Sequence, residues 1–238
     1  MKENIKDGLK LFLKIIVVNI MCFFVVMSFS VLITAAATKN IGYTAFGATS
    51  DSSDVTELYT YYYDEGEDTK KEEYTEQGYA VTERIIRSEM SAGATAAFLI
   101  ISQIFCLMIL IAFIYPNIWH IGTSDSNLVR FKHKSEDKLK GVKIGLVAVI
   151  PFYLFLIFIA AAKFVMPAFP MVLYKFLNSS FYSFIDVLCG ASTAGSLAVW
   201  RLALLFVIPL IIPAVSGAAY LLGYKNISLG EKFIYKKK

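Results

Sequence analysis

Residues 171–188, MVLYKFLNSSFYSFIDVL, decide how many times this chain crosses a membrane. The stretch is apolar enough to suggest a span. Its polar residues are Lys175, Asn178, Ser179, Tyr182, Ser183 and Asp186, which recur at helical spacing on one face. Such a two-sided helix fits the surface of a bilayer better than its interior. The segment therefore reads as an interfacial amphipathic helix between two spans.

On either side lie blocks long enough to cross a hydrocarbon layer, which takes about 20 helical residues. The third block is Ile144 to Met166, containing Pro151, and the fourth is Ser196 to Leu222, containing Pro209 and Pro213. Upstream, the first runs from Ile15 to Ala37 and the second from Ala92 to Tyr115. The chain is 57% apolar with a mean hydropathy of +0.59, against roughly 45–50% apolar for a soluble domain. These blocks describe a helical polytopic membrane protein with four transmembrane helices.

Charge sets the expected orientation. Lys2, Lys6, Lys10 and Lys14 precede the first block. Arg130, Lys132, Lys134, Lys138, Lys140 and Lys143 lie between the second and third, and Lys225, Lys232, Lys236, Lys237 and Lys238 follow the fourth. These fifteen of the 23 basic residues mark cytoplasmic segments by the positive-inside rule. Four spans with both termini cytoplasmic satisfy every segment, and a fifth span at 171–188 would put the lysine tail outside. The expected location is the plasma membrane, with the basic loop (116–143) and tail against its anionic inner leaflet. The bases flank apolar blocks, so nucleic acid is not an expected partner. The first block ends in Ala35-Ala36-Ala37, as a cleaved signal peptide would, but it is longer than a signal core and reads as a retained helix.

The organisation is then residues 1–37 as N-terminus and first span, 38–91 as a lobe, and 92–238 as the remaining spans and loops. Between Lys39 and Glu89, twelve acidic and five basic side chains give a local charge of −7 inside a chain of +4. Val55–Tyr63 (VTELYTYYY) reads as a strand, Glu67–Gln77 as a short helix ended by Gly78, and Tyr79–Arg87 as a second strand. Residues 41–53 add an irregular arm or a third strand. A small α+β extracytoplasmic lobe of this size has a marginal core of its own. Tyr59, Tyr61, Tyr62, Tyr63, Tyr74 and Tyr79 form either that core or a docking surface, tyrosine being enriched at interfaces.

Few residues carry chemistry. Lys163 and Arg201 lie near span ends with Asp186 on the segment between them. Snorkelling or an ion pair with Asp186 is the first reading, and a site for an anionic headgroup or small anion the second. Asn19 and Gln103 are amides within the first two spans, expected to clamp neighbouring helices together. Ser91, Gly93, Thr95 and Ala97 are spaced for close helix approach. Pro151, Pro209 and Pro213 are expected to kink their helices. Cys22, Cys106 and Cys189 form no disulfide framework or C-x-x-C motif, and His120 and His133 no zinc motif. The Asp64–Asp68 run lacks the EF-hand spacing that calcium would require. No nucleophile–base motif or phosphate loop occurs. The expectation is a non-enzymatic, cofactor-free membrane protein whose lobe binds a protein partner or a second copy. The alternative is a small transporter or permease component using the kinked third and fourth spans.

Overall fold

The computed structural model describes residues 2–49, 55–64, 66, 68–133, 135–190 and 193–228. The acidic residues Asp51, Asp54, Glu65 and Glu67, together with Lys134, Lys232, Lys236, Lys237 and Lys238, lie outside the described residues. The elements run α1 (Lys2–Ala37), β1 (Asn40–Thr49), β2 (Thr56–Tyr62), α2 (Lys70–Glu76), β3 (Tyr79–Arg87), α3 (Ala92–Arg130) and α4 (Lys140–Val165). Then come α5 (Val172–Leu177), α6 (Tyr182–Cys189), α7 (Val199–Val207) and α8 (Ile211–Tyr224). A 3-10 turn at Ser179–Phe181 joins α5 to α6, and another at Ile208–Leu210 joins α7 to α8.

Four helical stretches are long and apolar enough to cross a membrane: Glu3–Ala37, Ala92–Arg130, Lys140–Val165 and Val199–Tyr224. The second is longer than its hydropathy suggests. α3 continues through Pro116 to Arg130, so most of the expected loop at 116–143 is helix and only 131–139 joins α3 to α4. At 1.5 Å per residue α3 is about 58 Å long, nearly twice a ~30 Å hydrocarbon layer.

The chain divides into two compact units, one of residues 1–28 and 99–238, the other of residues 29–98. Within the first, α1 buries Leu11, Ile15, Val18, Cys22 and Val26, the three-and-four spacing of a single helical stripe. α3 buries every fourth residue from Ser102 through Cys106, Leu110, Ile114 and Ile118. The two stripes meet at their thiols, each of which donates to the other's backbone carbonyl, Cys22 to Cys106 at 3.7 Å and Cys106 to Cys22 at 3.9 Å. Phe12 on α1 packs edge-on against Phe152 on α4, 5.7 Å between ring centres.

Glycine sets two further helix contacts. A Cβ on Gly223 of α8 would lie 2.1 Å from the Trp119 carbonyl oxygen, and one on Gly122 of α3 would lie 2.3 Å from that of Tyr220. Gly145 of α4 stands equally close to Pro213 of α8, 2.5 Å from its Cα. Backbones this near can touch only where no side chain intervenes. The expected close approach at Ser91, Gly93, Thr95 and Ala97 does not form. Those four residues are exposed, and nothing lies within 4 Å of the Cβ position of Gly93. The small residues that join helices lie at the other end of α3.

The second unit holds an antiparallel sheet of order β2-β1-β3. The segment expected as an arm or third strand is β1, the central strand. Ala45 is fully buried, paired with Tyr59 on β2 and Glu83 on β3. Tyr43, Tyr59, Tyr61, Tyr63, Tyr74 and Tyr79 form a continuous run of ring contacts, including Tyr59 stacked on Tyr74 of α2 at 5.5 Å. Asp68 anchors them. Its carboxylate accepts the hydroxyls of Tyr43 and of Tyr59, the latter at 2.8 Å. Of the six tyrosines expected as core or docking surface, Tyr59, Tyr61, Tyr74 and Tyr79 are half-buried, while Tyr62 and Tyr63 remain exposed.

Candidate functional site: a broken helical hairpin

The stretch 171–188 is not one continuous helix. α5, the 3-10 turn and α6 form a short hairpin, and most of its polar side chains point inward. Lys175, Asn178, Ser179, Ser180 and Ser183 are buried, while Val172, Leu173, Phe176, Leu177, Phe184 and Val187 are exposed. The single amphipathic helix expected here is two short helices, and helical spacing carried no information about what the polar residues meet. Beside other helices, buried polar groups find partners there, and apolar groups are left to face outward.

The hairpin is closed at its base and held at its tip. At the base Pro170 bridges to Thr193, Ala194 N–H donates to Phe169 O at 2.8 Å, and Gly195 N–H donates to Pro167 O at 2.9 Å. At the tip the helical ladder breaks over residues 178–181, and each backbone group freed in a buried site needs a partner. Two side-chain amides supply them. Asn19 of α1 accepts from the Ser180 N–H at 3.1 Å and from its hydroxyl at 2.7 Å, and donates to Leu177 O at 2.7 Å. Gln103 of α3 donates to Ser180 O at 2.9 Å and accepts from Phe184 N–H at 3.4 Å. The amides read from the sequence as a clamp between the first two spans thus each grip the hairpin turn lying between them.

The cations gather at the hairpin's other end. Asp186, expected to pair with Lys163 or Arg201, pairs instead with Lys175, 2.6 Å away and 7% exposed. Lys175 also donates to Gly190 O. Lys163 donates to Gly195 O at 3.2 Å and Leu197 O at 2.5 Å, and Arg201 donates to Leu188 O at 3.2 Å. The Arg201 guanidinium lies 5.2 Å from the ring centre of Trp200. Two hydroxyls on the hairpin, Tyr174 Oη and Ser183 Oγ, are buried without a hydrogen-bond partner among the described residues.

An apolar recess of about 330 Å³ lies against the hairpin tip, lined by Ile16, Pro151, Phe155 and Phe176, with Asn19 and Asn178 its polar edge. Of the three prolines expected to kink their helices, Pro209 sits in the 3-10 turn that separates α7 from α8. There Tyr153 of α4 donates to Phe206 O at 3.1 Å. Pro151 and Pro213 lie inside α4 and α8 without interrupting either.

One polar cluster has no counterpart in the sequence reading. Lys140 at the start of α4 is buried, 2.8 Å from Asp125 of α3 and 3.0 Å from Glu3 of α1. Tyr220 of α8 donates to the same Asp125 carboxylate at 3.0 Å. Four helices thereby converge on one ion pair. Its residues sit among many charges in the expected basic loop, so neither hydropathy nor spacing could single them out. Among the described residues no group of three or more His, Cys, Asp or Glu is arranged to hold a metal. Compared with family models, curated proteins and solved structures, the chain matches none.

Proposed function

We propose that this chain is a non-enzymatic, multi-pass protein of the plasma membrane, with both termini cytoplasmic and the lobe outside, where it docks a protein partner. The observation that carries the docking reading is the apolar face at one end of the lobe's sheet. Ile85 is 54% exposed and Tyr63 52% exposed. Ile85 pairs with Tyr43 across the sheet, and the Tyr63 ring contacts that of Tyr43. Strand β3 pairs with β1 alone among the described strands, which leaves an edge for an added strand. The lysine distribution supports the orientation through the positive-inside rule and gives the basic segments an anionic leaflet to lie against.

The three native cysteines are buried, so single cysteines introduced at Thr75, Ser135 and Asn226 test the orientation. In intact cells only position 75 should react with an impermeant maleimide. Reaction at 226 would reverse the topology. For docking, a photo-crosslinking residue at position 63 should yield one discrete adduct in native membranes, lost on Ile85→Glu. A lobe with no adduct, or an adduct indifferent to Ile85→Glu, removes this reading.

A second reading, passage of a small solute, is favoured by the broken hairpin. Interrupted helices within a bundle line the sites of many transporters. Under that reading Pro209→Ala, which restores a helical N–H at the break between α7 and α8, changes solute flux in reconstituted vesicles.

A further inference from the structure

Between Ile144 and Tyr224 the sequence contains only four charged residues, Lys163, Lys175, Asp186 and Arg201. All four converge on the base of the hairpin and the loop after it. Lys175, Arg201 and Lys163 donate to the carbonyls of Leu188, Gly190, Gly195 and Leu197, and among the described residues only Lys175 of the three has a carboxylate partner. Three positive charges against one negative leave an excess of two in an otherwise apolar neighbourhood. Carbonyl oxygens satisfy hydrogen bonds but do not neutralise charge, and Lys163 and Arg201 are half-buried, each keeping part of its surface open to an anion.

We propose that this surplus binds a phosphate group, with Arg201 as its principal contact and Lys163 as the second cation. Lys175 is committed to Asp186, so the excess belongs to these two. Arg201 uses one N–H on Leu188 O, and a guanidinium carries five donors in a planar fork that matches a phosphate's oxygens. Trp200 is 59% exposed beside it, and Val199, one residue earlier, is 69% exposed. A cation flanked by an exposed indole and an exposed aliphatic residue suits the boundary between headgroup and acyl chain, where Trp is enriched. The chemistry recognised is thus a phosphate monoanion, supplied either by an anionic phospholipid or by soluble phosphate.

The test uses the full-length protein in detergent, mixed with phosphatidylglycerol or phosphatidylcholine and followed by native mass spectrometry. A parallel thermal-shift titration uses inorganic phosphate. Phosphatidylglycerol should be retained about tenfold more tightly than phosphatidylcholine, and Arg201→Gln should remove most of that preference. Lys163→Gln should reduce it, whereas Arg84→Gln, on the exposed surface of β3, should leave it intact. Arg201→Lys keeps the charge but loses the fork, so it should fall between wild type and Arg201→Gln. It also keeps the proposal testable if Arg201→Gln does not fold. Stabilisation by inorganic phosphate, lost in the Arg201 variants, would identify soluble phosphate as the source; lipid retention without it would identify the phospholipid. Equal retention of the two lipids with no response to phosphate, or a preference unchanged by both Arg201→Lys and Lys163→Gln, overturns the proposal. A merely structural role for Arg201 would lower stability and leave the lipid preference untouched.

Discussion

The carboxamide oxygen of Asn19 accepts both the backbone N–H and the hydroxyl of Ser180, at 3.1 and 2.7 Å. Asn19 lies halfway along α1, and Ser180 lies in the turn of a hairpin near the other end of the chain. This contact, with its Gln103 counterpart, holds a break in the backbone among long apolar helices.

Replacing Asn19 with Leu removes three hydrogen bonds and leaves the Ser180 N–H and the Leu177 carbonyl without their partner. A buried unsatisfied group costs about 1–3 kcal/mol, so the variant should lose about 2–4 kcal/mol and release the hairpin tip. Hydrogen exchange at residues 178–184 should rise while that of α8 stays unchanged. Exchange unaltered at the tip would show that Asn19 does not hold it.

The Asp125–Lys140 pair makes a different prediction. Removing one partner of a buried pair costs about 3–5 kcal/mol, whereas replacing both with apolar groups is often neutral. Asp125→Leu should therefore destabilise the protein strongly, and adding Lys140→Met should recover most of the loss. Glu3 still faces position 140 in the double variant, but it is largely exposed and can return to water. A double-mutant cycle in a thermal denaturation series gives the coupling, and additive losses would contradict a specific pair.

Gly223 and Gly93 test helix contact directly. Gly223→Val forces a side chain into the Trp119 carbonyl and should cost about 1–3 kcal/mol by overpacking, with loss of the 2.9 Å bond from Trp119 Nε1 to Ile227 O. That loss should shift tryptophan fluorescence. Gly93→Ala meets open space and should be neutral or slightly stabilising, because alanine favours the helix.

In the lobe, burial holds the Tyr59 hydroxyl above its ordinary pKa of 10.0, with the nearby Glu83 charge adding to the effect. A raised pKa in the folded state means that the associated stability is complete below pH 10 and is lost as pH rises through the folded value. Lys71, raised by its bond to Glu83, acts in the same direction above pH 10.5. The tyrosinate absorbance that Tyr59→Phe removes should thus have its midpoint above pH 10.0. A midpoint at or below pH 10.0 would contradict the assignment.

Sequence alone determined much of this protein. Hydropathy located the four long helices because crossing a hydrocarbon layer demands length and apolarity, both of which are local. Strand, helix and strand at β2, α2 and β3 were legible from β-branched and aromatic runs around Gly66 and Gly78, both of which adopt positive φ. Asn19 and Gln103 stood out because amides are rare in apolar runs. The spacing of 171–188 marked it as helical but not the turn at Ser179–Phe181 that divides it. Tertiary structure decided that Asn178, Ser179, Ser180 and Ser183 are buried there, that Asp186 belongs to Lys175, and that Asp125 and Lys140 meet beneath Tyr220. It also made β1 the central strand. Periodicity records which residues share a face, whereas the partner of that face comes from a distant part of the chain.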